Sequence, residues 1–148
     1  MERKISTRLG LALTAVILAG MLLAGCGNRL SEADVPYAGP VIDNILQAIA
    51  AKDYGKFSLD FSENMKTGIG EKDFSALAAK METRLGRYEA KSFLSAAPAK
   101  NPNVDLTIVK YRAKYSNESD VTITVYFSDT GVKKLIEGLL IDSPALDK

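Results

Sequence analysis

The sequence predicts an α+β fold: three N-terminal helices packed on a four-stranded antiparallel sheet. Two observations carry this. Apolar residues recur at helical spacing as far as Leu85, and the period shortens to two after Gly86. Turn-forming clusters at Asn117-Glu118-Ser119-Asp120 and Ser128-Asp129-Thr130-Gly131 then divide the second half into hairpins.

The first helix is expected after Pro36 and Pro40, where the missing proline N–H costs little. Val41, Ile42, Ile45, Leu46 and Ile49 form its apolar stripe, and Lys52-Asp53-Tyr54-Gly55 ends or kinks it. Phe57, Phe61 and Met65 stack at four-residue spacing on a second short helix, with Gly68 and Gly70 bracketing the turn that follows. Phe74, Leu77, Ala78, Met81 and Leu85 mark a third helix, which Gly86 suits as a C-terminal cap. Residues 88–96 read as the first strand and residues 97–103, with two prolines and two asparagines, as a loop. Strict alternation over 104–115 and 121–127 gives two more strands. Residues 132–141 fit both periods. A strand is expected, because the preceding strand needs a neighbour and Gly138 disfavours a helix interior. The domain is thus expected over 36–142, behind a polar tether at 26–35 and ahead of a loose tail at 143–148.

The N-terminus carries a different signal. Arg3, Lys4 and Arg8 precede residues 9–25, which hold no charge, and the run closes on Leu23-Ala24-Gly25-Cys26. At 17 residues the run is at the lower limit for spanning a bilayer. Small residues before the cysteine and helix breakers after it suit cleavage instead. The segment resembles a bacterial lipoprotein signal peptide, residues 1–25, and the tetrapeptide resembles its lipobox. That resemblance implies a diacylglycerol on the Cys26 thiol, acylation with fatty acids such as palmitate, and a lipid-anchored domain outside the cytoplasm. Two or three chains, at about 0.8 kcal/mol per buried methylene, suffice to hold it. Gly27 is not the aspartate that commonly retains such proteins in an inner membrane, so an outer membrane is expected where the host has one.

Removing residues 1–25 takes three basic residues and one acidic residue from totals of 19 and 18, which leaves a net charge of −1. No basic patch is visible, so nucleic acid is not an expected partner. The chain has no histidine and no tryptophan, and its single cysteine is committed to lipid. These absences exclude intrachain disulfides, metal centres built on His or Cys, and the Ser-His and Cys-His nucleophile pairs. Asp60 and Glu63 lack a third carboxylate at ligand spacing, so no calcium site is expected, nor any cofactor.

The segments 48–66, 74–90 and 109–141 resemble a bacterial family of unknown function within the nuclear transport factor two-like, cystatin-like cone fold. The resemblance implies a curved sheet wrapping the helices, a pocket between them, and an outer sheet face that pairs with another subunit. Candidate pocket residues are Tyr54, Phe57, Phe61 and Tyr111, with Asp53 an acid at the pocket mouth or, more plainly, a helix cap. Tyr88, Tyr111, Tyr115 and Tyr126 line the concave sheet or cover its outer face, chiefly as packing residues. Met65 and Met81 are expected to fill the core, and Lys110, Arg112 and Lys114 to form a solvated basic stripe. The expected function is that of a non-catalytic binding or protein-interaction module on the cell envelope, its partners the membrane, a small ligand or an envelope protein. The alternatives are a small enzyme using Asp or Glu with Tyr in the cone pocket, and a structural homodimer formed through the sheet.

Overall fold

The computed structural model describes residues 28–100, 102–128 and 133–147. Cys26 and the segment before it lie outside the described residues. A 3-10 turn (Glu32–Asp34) leads into four helices, α1 (Ala38–Ala51), α2 (Tyr54–Phe57), α3 (Glu63–Gly68) and α4 (Glu71–Leu85). Four strands follow: β1 (Tyr88–Lys100), β2 (Asp105–Tyr115), β3 (Val121–Ser128) and β4 (Ile136–Asp142). They pair antiparallel in the order β1-β2-β3-β4, a meander.

Local chemistry sets the helix ends. Lys52 takes a left-handed conformation (φ 56°) after α1, and its N–H reaches back to the carbonyls of Ala48 and Ile49. The Asp53 carboxylate then caps α2 by accepting from the Lys56 N–H at 3.0 Å, the plainer of its two expected roles. Ser62 caps α3 by accepting from the Met65 N–H at 3.2 Å. Gly86 ends α4 at φ +80° and ψ −145°, which essentially only glycine adopts.

The single helix expected for Phe57, Phe61 and Met65 is two helices. The backbone between them is taken by β4: Ser62 N–H donates to the Ile136 carbonyl at 3.0 Å, and Ile136 N–H to the Asp60 carbonyl at 2.8 Å. A loop expected at 97–103 is also corrected. β1 continues through Lys100, with Pro98 opposite Thr107, and an edge strand tolerates a proline. β4 is a strand, as the need for a neighbour to β3 implied. Its Gly138 lies opposite Tyr126, where a Cβ would come within 3.0 Å of the ring.

One face of the sheet meets the helices. Val109, Tyr111, Ala113 and Tyr115 of β2 and Val121, Ile123, Val125 and Phe127 of β3 are buried there with Ile42, Ile45, Leu46, Phe57, Phe74 and Met81. Met65 is buried too. Both flanking segments join this core. Leu30 N–H donates to the Ala96 carbonyl at 2.8 Å and Val35 is buried, so these two residues tie the expected tether to the domain. After β4, Ser143 and Leu146 are buried, so the expected loose tail folds back.

Candidate functional site

The four candidate pocket residues do not come together. Tyr54, Phe57 and Phe61 form an aromatic cluster with Phe74, the Phe57 ring centroid lying 4.6 Å from Phe74 and 4.9 Å from Phe61. Both phenylalanines are fully buried, and the Tyr54 hydroxyl donates to the Ile69 carbonyl at 2.8 Å. Their geometry is that of packing between α2 and α4. Tyr111 lies elsewhere, edge-on to Phe93 at 5.5 Å on the sheet.

A cleft opens at another place, where β1 begins and β2 ends. Its volume is about 360 Å³. The walls are Leu46, Ile49 and Ala50 of α1 and Ala78 and Met81 of α4, with Tyr88 and Tyr115 from the sheet. Lys52, Glu82 and Arg87 supply its charged groups. Lys52 Nζ and Glu82 Oε2 pair at 2.7 Å, joining the two helical walls through a solvent-exposed bridge. Tyr115 is 5% exposed and its hydroxyl has no partner among the described residues.

A line of polar contacts runs from the N-terminal turn to this cleft. Tyr111 donates to Glu32 Oε1 at 2.8 Å. The Lys91 ammonium sits 4.9 Å from the Tyr111 ring centroid, within cation–π reach, and binds Asp43 Oδ2 at 2.8 Å. The other Asp43 oxygen accepts from the Tyr88 hydroxyl at 3.3 Å, and the Tyr88 and Tyr115 rings lie 5.6 Å apart.

Burial sets the titration of these phenols. Desolvation, with the charge of Asp43 and its hydrogen bond, pushes Tyr88 up to about 12. Desolvation also raises Tyr111, helped by the hydrogen bond to Glu32 and by the charges of Glu32 and Asp43, and raises Tyr115, helped by Tyr88. All three are therefore neutral hydroxyl groups near pH 7. Both Asp43 oxygens are engaged, one by Lys91 and the other by Tyr88. Among the described residues no group of three or more His, Cys, Asp or Glu is disposed to hold a metal ion.

Sequence reasoning placed Tyr88 and Tyr115 on the sheet but missed Asp43 and Lys91. The available signal was Lys91 itself, a lysine in phase with Phe93 on the inward side of β1. An inward charge requires a partner, and α1 offers Asp43 on its half-buried flank. The basic stripe is solvent-exposed as expected, with Arg112 paired to Asp120 at 2.9 Å and Lys114 to Glu89 at 3.0 Å. No helix among the described residues is long and apolar enough to cross a membrane.

No curated protein matches the chain. A family model does, over residues 43–135, which is more than half of the chain and includes Asp43, Lys91 and the whole lining of the cleft. The chain therefore belongs to DUF3887, a family described as protein of unknown function.

Proposed function

We propose that this protein is a lipid-anchored component of the cell envelope whose nuclear transport factor two-like domain is a non-catalytic binding module. The cleft between α1, α4 and the sheet is the observation that carries this reading. Its lining is mostly apolar, its carboxylate Glu82 is paired with Lys52, the Asp43 carboxylate beyond Tyr88 is occupied by Lys91 and Tyr88, and its phenols are held neutral. Such a site holds a ligand more readily than it moves a proton. The cone reading is supported by the order of helices before a four-stranded meander and by the shared core between them. The anchor reading is supported by the charged start, the apolar run and Leu23-Ala24-Gly25-Cys26.

Two measurements test it. Cells fed an alkyne-bearing palmitate should label the protein, and Cys26→Ser should abolish both label and sedimentation with membranes. Lipidated protein used as bait on envelope extract should enrich a specific protein or small molecule over a lipid-only control. Sedimentation of Cys26→Ser with membranes as before, or no enrichment from the extract, would count against the corresponding half of the reading.

A homodimer is a second reading with its own observation. On the outer sheet face, Leu140 is 54% exposed beside the row formed by Ile108, Tyr126 and Gly138. Sedimentation equilibrium at micromolar concentration should show a dimer that Leu140→Glu dissociates; monomer alone in the parent protein removes this reading.

A further inference from the structure

The cleft is specific about the chemistry of what fills it. Leu46, Ile49, Ala50, Ala78 and Met81 present only carbon and sulfur side-chain atoms. Of the two phenols in the lining, Tyr88 already spends its hydroxyl on Asp43. Tyr115 does not: its hydroxyl is buried and lacks a partner, an arrangement whose cost a ligand oxygen would remove. One uncommitted polar atom therefore stands just behind an apolar lining, closed off from solvent, and a ligand oxygen reaches it as neighbouring side chains give way.

The charges around the cleft balance. Lys52 and Glu82 neutralise each other at 2.7 Å, and Arg87 adds one exposed positive charge with no ion pair among the described residues. Against it stand the C-terminal ends of α1 and α4, each equivalent to about half a negative charge. An ionised head of either sign gains little here and loses its water. A volume of about 360 Å³ sits near the lower end of the small-ligand range and suits roughly ten to fifteen non-hydrogen atoms.

We infer that the cleft binds a small uncharged, mainly aliphatic molecule bearing one hydroxyl or carbonyl oxygen, which hydrogen-bonds to the Tyr115 hydroxyl while its apolar body lies between Ile49, Ala78 and Met81. This rests on the reading of the domain as a binding module and names the ligand class of that site. Ala50, exposed in the last turn of α1, stands at the rim, so a large side chain there closes the cleft without entering the core.

The test uses the full chain in lipid nanodiscs and a ten-carbon primary alcohol carrying a photoreactive diazirine. Irradiation should attach the probe to the peptides of α1, α4 and the end of β2 that line the cleft. Decanol should compete at least tenfold better than decanoate or decylammonium. Ala50→Trp should remove the labelling, and Tyr115→Phe should weaken it by about tenfold while the fold is retained, as thermal melting will report. Labelling spread over the surface, equal competition by the charged probes, or labelling unchanged in Ala50→Trp would overturn the inference. The two readings fail separately. Cleft labelling on protein without lipid at Cys26 keeps the ligand class and removes the anchor; absent labelling on lipidated protein does the reverse.

Discussion

Replacing Tyr115 by phenylalanine should make the unliganded protein more stable. The hydroxyl is buried without a partner, while the ring is packed 5.6 Å from Tyr88 and stays in the variant. A buried polar group left unsatisfied costs about 1–3 kcal/mol, and removing it recovers most of that. In a domain of this size the gain corresponds to a rise of roughly 3–10 °C in the unfolding midpoint. Urea unfolding should show a higher midpoint with an unchanged slope, because the surface exposed on unfolding is the same. pH supplies a second signature. Burial raises the Tyr115 phenol in the folded state, so the stability it contributes is intact below the unfolded value near 10 and is lost as pH climbs above it. The variant lacks that loss, so its advantage should widen above pH 10. A variant equal to or weaker than the parent at pH 7 would refute the reasoning, since the hydroxyl would then be satisfied.

Other perturbations have definite expectations. Gly86→Ala should cost about 2 kcal/mol or more in urea unfolding, because φ is +80° and the new methyl would fall on the Ser116 hydroxyl and 2.9 Å from Asn117 Nδ2. Phe57→Ala should cost about 3–5 kcal/mol, as it empties the centre of the Phe61 and Phe74 cluster. Phenolate absorbance should show Tyr88 ionising near pH 12, and Asp43→Asn should lower that value by removing the neighbouring charge. Tyr111→Phe should release Glu32, and hydrogen exchange at Leu30 and Val35 should quicken while the amides of β3 stay protected.

Much of the architecture could be read in advance, for a local reason. The alternation from Val121 to Phe127 reports a strand with one buried face, and Gly86 reports a backbone that only glycine accepts. Errors arose where distant chain segments intervene. Phe57, Phe61 and Met65 keep helical spacing, yet Ile136 captures the backbone of residues 60–62 and splits the helix. Pro98 and its neighbours look like a loop until β2 pairs with them and makes them part of the sheet's edge strand. The site was less legible still. Leu46, Ile49, Ala78 and Met81 were recognisable as stripe residues, but the gap between two stripes is a property of packing. The Lys91–Asp43 pair joins positions 48 residues apart, and no local pattern announces such a partner.

The pairing of Leu30 with Ala96 sets a leash length. With the lipid on Cys26 as proposed, only residues 27, 28 and 29 separate it from the edge of the sheet. Four Cα steps at full stretch reach about 15 Å. That ceiling exceeds a Debye length of about 8–10 Å at moderate salt, so charges at the β1 edge would be largely screened from the lipid headgroups at full stretch and would feel them only when the leash is slack. So anchored, the domain would be moored rather than trailing on a line. It would meet molecules that lie on or leave the bilayer surface, and it would not sweep the space beyond.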